Sequence, residues 1–331
     1  MIDALAGRME TLVAAGEFDA ALRVYELANP VERRAPPVRL QAAGAAARMG
    51  RLDLALTHAF GALEGFRAQE EGEGLWRATN LAGGIALERG HLAEADAFFR
   101  DALRVAERLG DHTGVGRACN NLATVAHQQG RVEDAVRLYR RAAAAYAAPR
   151  DWRGLAETHH NLALVFRQAG REIEAIIETA TAIRCASVLG DPSLQALALL
   201  GRAELYLMQD DPAGAERDIL RASRLSRTAG DRLTALDADR LRALTALRAN
   251  RPVEASDLAD QAEADADRLG SLLLATECLM VSALARLALG LRAEAESCRS
   301  RVLTRLEQLG ARLIRERFEQ EWDRAGGGSV G

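Results

Sequence analysis

The chain has 331 residues, of which 27% are charged and 4% aromatic, and its formal net charge is −4. All 43 basic residues are Arg, which excludes a Walker A phosphate loop, a protein-kinase centre and Schiff-base chemistry, because each needs a Lys amine. The near-balanced charge supplies no general pull toward nucleic acid or an anionic membrane, and no run of about 18 uncharged apolar residues exists to span a bilayer.

Ala, Leu, Arg and Glu dominate, and all four favour helix. β-branched runs are nearly absent, which argues against a sheet. Residues 1–8 (MIDALAGR) contain no continuous apolar segment of the signal-peptide kind. Beyond them a motif recurs: a turn residue, one or two polar residues, then Ala in a helical run. The Ala residues are Ala20, Ala55, Ala95, Ala135, Ala175, Ala215, Ala255 and Ala295, so every step after the first is 40 residues. The turn residues keep the same beat: Gly16, Gly50, Gly90, Gly130, Gly170, Asp210, Asn250 and Gly290. Gly and Asn tolerate the left-handed backbone that ends a helix.

A second mark falls between these. Gly110-Asp111, Gly190-Asp191, Gly230-Asp231, Gly270-Ser271 and Gly310-Ala311 share one phase, and Arg150-Asp151 fills a missing slot. The Gly closes one helix, and the following Asp or Ser is suited to cap the next. Pro192, Pro212 and Pro252 stand where the missing N–H of a first helical residue costs nothing. Each period therefore predicts two helices, such as Thr113–Gln129 and Val132–Ala148. Neither buries its apolar stripe alone, but stacked pairs do. The expectation is an all-α superhelix of about eight helical hairpins over 1–310, a capping helix over 311–325 and a flexible tail over 326–331.

The pattern resembles the tetratricopeptide repeat family, which favours a small residue at repeat position 8, Gly at 15, Ala at 20, a large residue at 24 and Ala at 27. The third unit has Gly83, Gly90, Ala95, Phe99 and Ala102; the fourth has Ala123, Gly130, Ala135, Tyr139 and Ala142. The fifth has Ala163, Gly170, Ala175, Thr179 and Ala182, departing from the pattern at Thr179. The 40-residue period is similar to that of kinesin light chains and bacterial peptide-pheromone receptors. The resemblance implies a right-handed α-solenoid whose first helices line a concave groove through positions 2, 5, 6, 9, 12 and 13.

On that register the third unit offers Arg77 and Asn80. The fourth offers Arg117, Asn120, Asn121, Thr124, His127 and Gln128, and the fifth offers Glu157, His160, Asn161, Leu164, Arg167 and Gln168. Asn121 and Asn161 share position 6, where the resemblance implies an Asn clamping the backbone of a bound peptide. A carboxamide both donates and accepts, so it pairs with a peptide N–H and C=O without reading side chains. Such Asn residues also bond neighbouring helices. Arg48, Arg77, Arg117 and Arg167 lean the groove toward an acidic ligand, with Glu88 and Glu157 offsetting them.

Beyond the fifth unit the same face turns apolar: Leu197, Leu200, Leu207 and Met208, then Leu241, Leu244 and Leu247, then Met280, Val281, Leu284 and Leu287. Position 7, normally Leu in the family, becomes Arg202, Arg242 and Ser282. Two readings stand: rotated helices with the stripe in the core, or an apolar groove. The groove would take a partner helix, a second copy in a homo-oligomer, or the chain's own last helix with Leu313, Ile314, Phe318 and Trp322.

Catalytic signals are thin. Glu157 and His160 form a lone E-x-x-H on a helix, without the second ligand pair that a di-iron bundle uses. Gly114 and Gly116 follow no strand, so a dinucleotide fingerprint fails. Cys119 and His127 lie two turns apart, about 12 Å, too far for a nucleophile and its base. Cys119, Cys185, Cys278 and Cys298 show no metal-ligand spacing and read as reduced core residues of a cytosolic protein. His58, His91 and His112 read as solvated surface residues. The function expected is therefore non-catalytic. An adaptor or scaffold would hold a protein or peptide in its groove, with no cofactor, metal, nucleic acid or membrane partner. Its alternatives are a regulatory peptide sensor and a self-associating scaffold.

Overall fold

A computed structural model describes residues 1–327, without the side chain of Leu313; residues 328–331 of the expected tail lie outside the described residues. The chain divides into two compact units, 1–158 and 159 onward. The first holds α1 (Ile2–Ala14), α2 (Phe18–Leu27), α3 (Pro30–Arg34), α4 (Pro36–Arg48), α5 (Leu52–Ala68), α6 (Gly72–Glu88), α7 (Leu92–Leu109), α8 (His112–Gln128) and α9 (Val132–Ala147). The division falls inside α10 (Trp152–Gln168). The second unit continues with α11 (Glu172–Leu189), α12 (Pro192–Met208), α13 (Pro212–Ala229), α14 (Arg232–Arg248), α15 (Pro252–Arg268), α16 (Leu272–Ala288), α17 (Arg292–Gln308) and α18 (Arg312–Trp322). Among the described residues there is no strand, so the protein is all-α. None of these helices is long and apolar enough to cross a membrane.

Successive helices pack as antiparallel hairpins, and the first helices also touch one another: α4 with α6 and α6 with α8 in the first unit, α12 with α14 and α14 with α16 in the second. The punctuation read from the sequence becomes backbone geometry. From residue 50 to 310, a left-handed residue stands every 20 residues, and all but four are Gly. The exceptions are Glu70 (φ 53°), Arg150 (φ 56°), Asp210 (φ 57°) and Asn250 (φ 56°). Slot 70 carries neither Gly nor Asn, so no sequence signal marked it. The chain makes the turn there because both flanking helices are held by packing.

Asp111, Asp151, Asp191, Asp211 and Asp231 cap the helices that follow them, each accepting from the backbone N–H three residues on at 2.8–3.1 Å. Glu71 does the same for α6. Ser271 departs from expectation and makes no side-chain cap bond. The short α3 was not expected; Asn29 and Glu32 form a reciprocal capping box around it, with Pro30 at its first residue.

Small residues admit large ones where helices meet, at a position of the family pattern for Gly83 and outside it for Gly116. A Cβ on Gly83 would stand 2.6 Å from the Phe99 ring, and one on Gly116 2.7 Å from Tyr146. Phe99 and Tyr139 are buried between α6, α7, α8 and α9. In the second unit Thr179 occupies the corresponding slot; it is buried and its hydroxyl has no hydrogen-bond partner among the described residues.

The Leu-rich stripe of the second unit is core. Leu200, Leu207, Leu241, Met280, Val281 and Leu284 are buried, with Leu197, Leu244 and Leu247 partly so; Met208 alone is exposed. Arg202, at the position where the family has Leu, turns toward α13 and forms a two-pronged pair with Asp218, at 2.6 and 2.8 Å. Phe318 and Trp322 of α18 are buried in one cluster with Leu279, Met280, Leu284 and Leu306, and Arg299 stacks on Trp322 at 5.2 Å. The chain's own last helix therefore covers the α16 part of that apolar surface. Residues Asp323–Gly327 follow α18 as a π-helical turn, interrupted by Gly326 at φ 85°.

Candidate functional site

Of the residues expected on the inner face, most are half-buried, among them Asn80, Asn120, Asn121, His160 and Asn161. In the first unit, α6 and α8 meet side by side and bring Asn80 and Asn121 together. The Asn121 Nδ2 donates to Asn80 Oδ1 at 2.9 Å. One position apart in register, the two amides bridge adjacent repeats. Each carboxamide has two donors and an acceptor of its own. The pair thus keeps the Asn121 carbonyl and the Asn80 amide N–H groups without partners among the described residues. Exchanging O and N in both amides would leave the same inventory. Next to them, Thr158 Oγ1 donates to Asn120 Oδ1 at 3.3 Å.

Other expected residues are engaged in the scaffold. Thr124 bonds the Tyr139 hydroxyl at 3.0 Å and the Asn120 carbonyl at 3.1 Å, so its oxygen is turned to α9. Burial pushes the Tyr139 hydroxyl up to about 12, against that Thr124 bond. Arg77 pairs with Glu10 at 3.1 Å and Glu73 at 3.7 Å. Arg117 and Gln128 are exposed and His127 half-buried. Arg117 makes no ion pair among the described residues. Of the histidines read as solvated, His58 is half-buried edge-on to Tyr25 at 4.7 Å, and burial with Arg39 and Arg51 lowers its pKa.

The second unit builds a different face. Arg240, buried on α14, reaches Asp237 at 2.7 Å, Glu204 of α12 at 3.4 Å and Glu277 of α16 at 3.5 Å. Arg167 of α10 closes on Glu204 at 2.6 Å, so it is not open to an acidic ligand. Burial opposes the charge on Glu204, but Arg167 and Arg240 together hold its carboxyl low. For Glu277 burial prevails and the carboxyl is raised despite Arg240. His160 is half-buried beside Gly201, where an added Cβ would lie 3.5 Å from Nδ1. Burial, reinforced by Arg167, lowers its pKa to about 4, so the imidazole is neutral at pH 7. Asn161 and Leu164 are half-buried and Gln168 is exposed on the same helix.

Glu204, Asp237, Arg240 and Glu277 went unremarked in the sequence although they occupy repeat positions 9, 2, 5 and 2, the groove positions that exposed Asn121 and Asn161. The periodic register marks them, although a Leu stripe surrounds them in the sequence. No group of three or more His, Cys, Asp or Glu that could hold a metal ion occurs among the described residues. Burial pushes the Cys119 thiol up to about 11 and Cys278 up to about 12, which leaves both protonated.

A tetratricopeptide repeat family model matches residues 77–148 and again 120–187. That matched stretch, residues 77–187, carries tetratricopeptide repeats. The match takes in the hairpins that hold Asn80, Asn121 and Asn161. Among solved structures, a Rap protein complexed with Competence and Sporulation Factor is 14% identical, with a TM-score of 0.60, covering 98% of this chain and 97% of that one. Aspartyl phosphate phosphatase F from Bacillus subtilis is 15% identical at TM-score 0.63, covering 81% and 70%. NprR in complex with its cognate peptide NprX is 13% identical at TM-score 0.57, covering 86% and 83%. At these identities the likeness is one of fold. No curated protein matches the sequence.

Proposed function

We propose that this tetratricopeptide protein binds an extended peptide along the first helices of its first unit, at Asn80 and Asn121. The paired carboxamides carry the proposal. They present an acceptor and donors, fixed by their mutual bond, to whatever lies on the face, and a peptide backbone supplies the complementary N–H and C=O. Asn120, Arg117, His127 and Gln128 flank the pair, with Arg77 at its edge; Asn161, His160, Leu164, Arg167 and Gln168 are the corresponding residues of α10. The peptide complex of NprR supports a sensor or adaptor use of the same fold. The protonated, buried thiols and the self-satisfied ion network support holding over catalysis.

Short random peptides selected for binding, then titrated by fluorescence anisotropy, test the reading. Asn80→Ala with Asn121→Ala removes two backbone bonds worth about 1–1.5 kcal/mol each and weakens binding by about 30- to 150-fold. The helical circular-dichroism signal stays unchanged. Equal affinity in the double variant would remove the amide pair from the site.

A further inference from the structure

The helix α11 has two apolar faces. Ala175, Thr179, Ala182, Cys185 and Ala186 are buried in the core. On the opposite side Ile173, Ile176 and Ile177 are 73%, 41% and 57% exposed. Ala180 and Arg184 extend that stripe, so the outward residues recur at helical spacing along the full length of the helix. The other second helices of this unit carry polar residues where α11 has Ile176 and Ile177: Glu216 and Arg217 in α13, Ser256 and Asp257 in α15, Glu296 and Ser297 in α17. A tetratricopeptide hairpin needs only the inner face of its second helix. The Ile residues leave an apolar strip in water.

We propose that this strip is a self-association surface, on which α11 of a second copy packs antiparallel. The ends of the strip choose that occupant. Glu172 and Arg184 bound it, both exposed and neither in an ion pair among the described residues; Glu172 only accepts from Gln209, and Arg184 only donates to Thr181. A two-fold axis near residue 178 sets Glu172 of each copy beside Arg184 of the other. The same axis seats Ile176 against the small Ala180 of the second copy, large against small. One patch then complements itself in shape and charge, as a closed two-fold interface requires. A parallel pairing would set Glu172 against Glu172. This surface is separate from the amide face and independent of peptide binding.

Light scattering of the full-length chain behind a sizing column gives the answer. The expected species is a dimer of twice 35.7 kDa at about 100 µM protein. Ile176→Glu with Ile177→Glu gives a monomer with unchanged helicity, since both sites are exposed. Glu172→Arg and Arg184→Glu each weaken the dimer about tenfold or more, and the two together restore it. A wild-type chain that stays monomeric overturns the proposal, as does a dimer indifferent to the Ile substitutions. Failure of the paired charge reversal to rescue overturns the antiparallel arrangement.

Discussion

The two units solve the same problem, a polar residue on an inner helix face, in opposite ways. The first uses neutral amides: Asn80 with Asn121, and Asn120 with Thr158. The second uses full charges: Arg167, Glu204, Arg240, Asp237 and Glu277 in one connected network. A pair of carboxamides cannot exhaust its own hydrogen-bonding capacity, so donors and an acceptor remain open. A ladder of guanidinium and carboxylate is costly to open once buried, because each charge depends on its partner. One unit thus keeps open hydrogen-bonding groups on its helix face, and the other satisfies itself.

Removing the hub of the charged network tests this contrast most severely. Arg240→Met leaves three carboxylates around a site with no central cation, and stability should fall by about 3–5 kcal/mol in urea melts. Asn80→Ala with Asn121→Ala should cost only about 1 kcal/mol by the same measurement. Similar losses would erase the distinction between the units.

Acid should act on the second unit through His160. Its folded pKa of about 4 lies below the ordinary 6.5, so between those values the unfolded chain binds the extra proton. The stability of the neutral ring is present above pH 6.5 and is lost as pH falls toward 4. Glu204, also held low, adds to the loss at the acid end, whereas the raised Glu277 opposes it. His160→Gln should flatten the fall in melting temperature between pH 6.5 and 4; an unchanged slope would assign it to other groups.

The smallest expected effect separates the turns. In the first unit the non-glycine left-handed residues are Glu70 and Arg150; in the second they are Asp210 and Asn250. The short polar side chains tolerate that conformation better than the long ones. Arg150→Gly should raise stability by up to about 1 kcal/mol, and Asn250→Gly by less. The order of the two melting temperatures decides it.

The register of the fold was legible because Gly, Asp and Pro at fixed spacing report backbone conformation residue by residue. Gly83 beneath Phe99 was legible for a similar reason, since small and large residues must alternate where helices meet. The Asn121–Asn80 bond was only half legible. Position 6 named Asn121, but the reach of Asn80 from the neighbouring repeat depends on how α6 sits against α8. Thr124 looked available on the helical wheel and is instead spent on Tyr139.

Composition and a 40-residue beat of turns were enough to determine an all-α array of paired helices, because helix ends and caps are local chemistry. Which faces are open was decided only in three dimensions. The Leu-rich stripe is core because Arg202 turns to Asp218 and because α18 lays Phe318 and Trp322 on the last hairpin. Such choices depend on which charges find partners across neighbouring helices, and a periodic pattern in one dimension does not contain that information.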